Sequence, residues 1–193
     1  MVKSGLVDVP AVSHFRLAIH LVTAFALMCY IYWLILSFNA VTKQSNNTIN
    51  TLSKWFIGTL VVQIIYGAFV AGLKAGYLLP IDGGYLHSIF GYSFRNPTDC
   101  SILNNPYDIQ AFHRLFAWVV GALAFIIYRK TRNTQLTSAG NLILILVITQ
   151  ITLGIVTLLL RVQIHAATTH QFVAIVLLLA TVRLTYLSSE NSQ

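Results

Sequence analysis

His113 and His170 are the residues in this sequence whose type and setting best suit chemistry. His113 lies in Gln110-Ala111-Phe112-His113-Arg114, at the start of an apolar run over residues 108–128. His170 holds the matching place in His165-Ala166-Ala167-Thr168-Thr169-His170-Gln171, at the start of the last apolar run, residues 166–187. An ionisable group at that depth in a membrane is costly and is usually kept for a partner or a task. Neutral imidazole is a good axial ligand for iron, and histidines on facing helices of a bundle are one way to bury a heme. Two readings stay open on spacing alone: the pair ligates a heme iron, or it hydrogen-bonds across helices and binds nothing. Zinc suits the sequence less well, because apart from His20 no third ligand lies at that depth.

The surroundings extend the pattern. His20, in the first apolar run, and the other two histidines are each followed four residues later by alanine: Ala24, Ala117 and Ala174. A small side chain one turn further along the same face leaves room for something flat beside the imidazole. Gly121 continues the stripe His113, Ala117, Gly121. An internal repeat pairs Gln63-Ile64-Ile65-Tyr66-Gly67 with Gln150-Ile151-Thr152-Leu153-Gly154, and its glutamines suit hydrogen bonding between helices. Arg16, Arg114 and Arg161 stand where they could bind the carboxylates of a heme or reach lipid headgroups; Lys74 is read as reaching headgroups. His14, His87 and His165 fall at interfacial or loop positions and read as solvated. No Ser-His-Asp order, phosphate-cradling glycine loop, Cys-x-x-Cys pair or helical carboxylate pair offers another chemistry.

Apolar runs must position these groups. With 56% hydrophobic and only 9% charged residues, the chain lies far from the soluble norm of about a quarter charged. A net charge of +7 would suggest nucleic acid in a soluble domain. Here the basic residues gather at the ends of apolar runs, where they set topology and meet membrane lipid, so no nucleic-acid partner is expected. Stretches of about 20 apolar residues span a bilayer as helices. Five qualify: residues 14–38, 55–79, 108–128, 141–162 and 166–187. Residues 1–13 do not read as a cleavable signal. Cys29 lies within the first run and Cys100 in a polar loop, so neither suggests a disulfide. The long connection 80–107 is a candidate cover for the site.

Lys43, Lys54, Arg129, Lys130 and Arg132 share one side, which the positive-inside rule makes cytoplasmic or matrix-facing. The first, third and fifth helices then begin on the outer side. That would put His20, His113 and His170 in one layer in the outer half of the membrane.

In these stretches the chain resembles the C-terminal part of heme A synthase. The resemblance rests on Met1-Val2-Lys3-Ser4-Gly5-Leu6, Val12-Ser13-His14-Phe15-Arg16-Leu17-Ala18-Ile19-His20-Leu21, Gly67-Ala68-Phe69-Val70-Ala71-Gly72-Leu73-Lys74-Ala75-Gly76, Phe112-His113-Arg114 and Ala167-Thr168-Thr169-His170-Gln171, in order along nearly the whole chain. It implies an all-α integral membrane protein with five transmembrane helices. Residues 1–54 would be the last helix of an otherwise missing first bundle plus a linker, and residues 55–193 a four-helix bundle with the heme site. His113 and His170 would ligate heme b (iron protoporphyrin IX), with Arg114, Ala117, Gly121 and Ala174 beside it. His20 would be one of two ligands to the iron of the substrate, heme O.

That family oxidises a methyl group of heme O to the formyl group of heme A. The resemblance therefore implies an oxidoreductase role in cytochrome oxidase assembly, an electron donor, and a bacterial inner or mitochondrial inner membrane. The family's first three helices have no counterpart here, which halves the substrate site. A separate chain carrying those helices is the implied partner. Departures include His14 where proline is usual, Lys74 where aspartate is common and Phe112 where aspartate often precedes His-Arg. The alternatives are a free-standing b-type cytochrome that carries electrons, and a degenerate fragment.

Overall fold

The computed structural model describes residues 13–39, 41–78 and 103–190. Five long helices run through them: α1 His14–Phe38, α2 Asn47–Gly72, α3 Pro106–Thr131, α4 Thr137–Leu159 and α5 Ile164–Ser188. A 3₁₀ turn, Ala75–Tyr77, follows α2. All five helices are long and apolar enough to cross a membrane, and among the described residues all regular structure is helical. The protein is a multi-pass, all-α membrane protein. The expected cover loop lies outside the described residues apart from its last few, as do His87 and Cys100.

α1 has the bounds that hydropathy predicts, but α2 is shifted. It starts about two turns before residue 55 because polar residues build its first turns. Asn46 caps it, its Oδ1 accepting from the Ile49 amide at 3.0 Å, which satisfies one of the free N–H groups of a helix start. Asn50 and Ser53, buried in those turns, then bond to α5. Asn50 Nδ2 donates to the Thr185 carbonyl at 2.8 Å, and the Thr185 hydroxyl donates to Ser53 Oγ at 2.9 Å. The boundary expected between residues 54 and 55 therefore falls inside α2. α3 is capped by Asn105, opens with Pro106, and carries Asp108 in its first turn and Arg129 and Lys130 in its last, the charge order that complements a helix dipole.

α2, α3, α4 and α5 each pack on the next, and α5 closes the ring on α2; α1 lies outside, against α2 and α5. Helices consecutive in the chain run antiparallel. The start of α1 meets the end of α2, where a Cβ added at Gly72 would stand 2.7 Å from His14 Cβ. The end of α3 meets the start of α4 so closely that a Cβ at Gly140 would collide with Thr131 Oγ1. That end of the bundle is tied tightly. Beside the Asn50 and Thr185 bonds, the Gln44 amide donates to the Leu187 carbonyl at 2.6 Å and the Asn46 amide to the Ser188 carbonyl at 3.0 Å. Phe56, Ile143 and Leu184 fill the core and are fully buried. Ile19, Leu27, Trp55, Ile145 and Phe172 point outward, as lipid-facing residues should.

Candidate functional site

The opposite end is built differently. There the first halves of α3 and α5 bring His113 and His170, and the last halves of α2 and α4 bring the two Gln-x-x-x-Gly repeats. The repeat glycine faces a histidine ring in each case. A Cβ added at Gly67 would stand 3.2 Å from His113 Cε1, and one at Gly154 would stand 3.2 Å from His170 Cε1. The repeat glutamine reaches the same histidine. Gln63 Nε2 donates to the His113 carbonyl at 2.9 Å, and Gln150 Nε2 lies 3.3 Å from His170 Nε2. His113 Nδ1, His170 Nδ1, Gln63 Oε1 and Gln150 Oε1 are all buried without a hydrogen-bond partner. The bilayer core supplies no water to satisfy such atoms, and the same unpartnered pair occurring twice is what a ligand in this space would satisfy.

Both imidazoles line one cavity of about 600 Å³, within the ~300–1,000 Å³ typical of cofactor pockets. Ala117 and Ala174, four residues after the histidines, line it too, and so does Arg114. Its far wall is apolar, with Leu60, Val147 and Leu177, and α1 contributes Leu17, Leu21 and Phe25. The wall from α1 is unexpected; the pocket draws on all five helices.

Other expected residues lie elsewhere. Gly121 is outside the lining, and a Cβ there would meet Ile151 of α4 at 3.7 Å, so it serves the packing of α3 on α4. His20, Ala24 and Arg16 are exposed on α1, away from the cavity, and Arg161 is exposed in the α4–α5 turn. His14 is not simply solvated: its Nε2 lies 2.9 Å from the Leu103 carbonyl, and its ring packs on Phe15 and Phe69. Lys74 lines the cavity. The residues most fully missed are Gly67 and Gly154. Their signal is the repeat itself, in which a glycine follows each glutamine by four residues.

The chain matches the COX15-CtaA family, cytochrome oxidase assembly protein, over residues 1–182. It belongs to that family. Its relatives include the heme A synthase of Flavobacterium johnsoniae, 35% identical over 192 residues, covering 93% of this chain and 56% of the relative. The heme A synthase of Wolbachia pipientis wMel is 35% identical over 186 residues, covering 92% and 51%. That of Ehrlichia ruminantium (strain Gardel) is 38% identical over 192 residues, covering 95% and 54%. The chain thus spans about half the length of the curated relatives it matches. No solved structure matches it.

The donor set of this COX15-CtaA chain fits a tetrapyrrole iron. Two imidazoles on one apolar cavity, each given room by a glycine, are of the type that can serve as axial ligands to a heme iron. Among the described residues no three His, Cys, Asp or Glu side chains come together, so the closed four-ligand shell of a structural zinc is not assembled there.

Proposed function

We propose that His113 and His170 ligate the iron of a resident heme b and that the α2–α5 bundle is the cofactor half of a heme A synthase, working on heme O. The observation that carries this is the repeated half-site: on each side of one cavity a histidine ring lies against a glycine with its Nδ1 buried and unpartnered. Bound there, heme b would supply a one-electron centre. The chain's own residues hold and enclose that centre. Gln150 restrains the His170 ring, Gln63 ties α2 to α3 at His113, and Leu17, Leu21 and Phe25 of α1 wall the pocket against lipid.

His20 belongs to a second site in this reading. Its exposure on α1 suits a ligand to the iron of heme O whose other axial group comes from helices outside this sequence. An electron donor at the membrane surface would complete the system. α1 then serves both sites, carrying His20 for the substrate and Leu17, Leu21 and Phe25 for the cofactor cavity that α2–α5 complete, with the histidines in the outer half of an inner membrane. A free-standing b-type electron carrier is the second reading, favoured by both histidines of the cavity coming from this chain.

The test is the absorption spectrum of the purified full chain supplied with iron protoporphyrin IX, with pyridine-hemochrome quantification. A six-coordinate low-spin spectrum, one heme per chain, kept in His20→Ala, is expected. No low-spin species in the unsubstituted protein rules out the cofactor site, and its loss in His20→Ala rules out a separate role for His20. Conversion of added heme O only when the missing helices are supplied separates the synthase from the electron carrier.

A further inference from the structure

Lys74 is held in a conformation that lysine seldom adopts. It follows α2 with φ 53° and ψ 29°, in the left-handed region, which glycine or asparagine would occupy with less strain. Such a conformation persists where the surroundings impose it, and ligand clamps are among those places. The surroundings here are firm. The Lys74 amide donates to the Ala71 carbonyl at 3.1 Å, and its carbonyl accepts from the Tyr77 amide at 3.2 Å. Next to it, fully buried Ala75 accepts from Gln110 Nε2 of α3 at 3.1 Å. Gly76 lies so near the α4–α5 turn that an added Cβ would stand 2.7 Å from Val162 Cγ2. The rim that carries Lys74 is therefore fastened to two other parts of the bundle.

The charge around the cavity is one-sided. Lys74 and Arg114 both line it, and among the described residues no Asp or Glu does. Deeper in, Phe25, Leu60, Val147 and Leu177 leave it apolar. An occupant that satisfies both regions has a broad apolar body and a negatively charged edge. We propose that Lys74 is a carboxylate anchor, binding beside Arg114 the acidic edge of the macrocycle held by His113 and His170 and so fixing which way round that macrocycle enters. This inference rests on the reading of the cavity given above. A lysine in a fixed backbone position is a point charge on a flexible stem, suited to meet a carboxylate at a rim.

The experiment compares the full chain with Lys74→Gln, Lys74→Glu and Lys74→Arg in nanodiscs of phosphatidylcholine, with and without phosphatidylglycerol. The probes are iron protoporphyrin IX and its dimethyl ester, which has no free carboxylates. Lys74→Gln is expected to weaken binding of the free acid by on the order of tenfold, Lys74→Glu by more, and Lys74→Arg little. The ester should bind the unsubstituted protein and Lys74→Gln equally. Equal weakening of both probes would make Lys74 structural and overturn the anchor. An effect of Lys74→Gln seen only with phosphatidylglycerol would make a lipid headgroup the anion, and would also overturn it. Failure of the unsubstituted protein to give a six-coordinate spectrum with either probe sinks the underlying cavity reading. Normal binding of both probes by every variant sinks the anchor alone.

Discussion

In the α2–α3 pair the Gln63 carboxamide reaches the backbone carbonyl of His113, whereas in the α4–α5 pair the Gln150 carboxamide reaches the His170 ring itself. The rest of the two half-sites is alike. Each has a histidine about two turns into its helix, a glycine on the neighbouring helix 3.2 Å from Cε1 by its added Cβ, and a buried Nδ1 with no partner. What the repeat preserves is therefore room for the ring, while the glutamine has taken a different task on each side. The contrast with the far end of the bundle points the same way. There the close approach of Gly140 to Thr131 and the bonds from Asn50, Thr185 and Asn46 tie the helices directly to one another.

If the two half-sites share one iron, breaking either histidine has the same large effect. His113→Ala and His170→Ala should each abolish the six-coordinate low-spin spectrum, and free imidazole added to either variant should restore it by filling the hole. Retention of the low-spin band in only one of the variants would show that the ring removed there is not a ligand, and the likeness of the halves would be packing alone.

The glycines allow a finer comparison. Alanine favours a helix over glycine by up to about 1 kcal/mol, yet at Gly67 or Gly154 its Cβ would press on the facing ring at 3.2 Å. Gly67→Ala and Gly154→Ala should therefore leave the heme-free protein as stable as before, or slightly more so. Both should weaken heme binding severalfold, to a similar degree. Thermal melts of the heme-free protein alongside heme titrations separate the two effects. A loss of stability without a loss of affinity would mean that the glycines serve helix packing only.

Hydropathy and the scarcity of membrane ionisable groups made the five spans and the His113, His170 and Arg114 set legible in the sequence, because both are properties of single residues and their neighbours along the chain. The shifted start of α2 was hidden because Asn50 and Ser53 look like loop residues until α5 arrives to bond them. Gly121 followed the helical stripe correctly but lies where α4 packs, beyond the cavity, since a stripe does not say where a neighbouring helix begins to touch it. Lys74 reads as a residue reaching for headgroups; it is exposed and also lines the cavity rim, whose position depends on the bond of Gln110 to Ala75 and the approach of Val162 to Gly76, which no local pattern encodes.

The glutamines should give the smallest effects, and unequal ones. Gln63→Leu removes a bond between helices, and such bonds in membrane proteins contribute about 0.6 kcal/mol on average and up to about 1.7 kcal/mol. The bond ends on a backbone carbonyl, so its loss should lower the melting temperature modestly and leave the heme spectrum unchanged. Gln150→Leu removes a contact with the ring, freeing the His170 imidazole to turn about its last side-chain torsion, which is broad and only weakly restrained by its own covalent geometry. The low-spin electron paramagnetic resonance signal, which reports the relative orientation of two axial rings, should shift or broaden in Gln150→Leu and stay in place in Gln63→Leu. If both variants behave alike, the one difference between the half-sites is without consequence, and ring orientation is set instead by the glycines and the walls of the cavity.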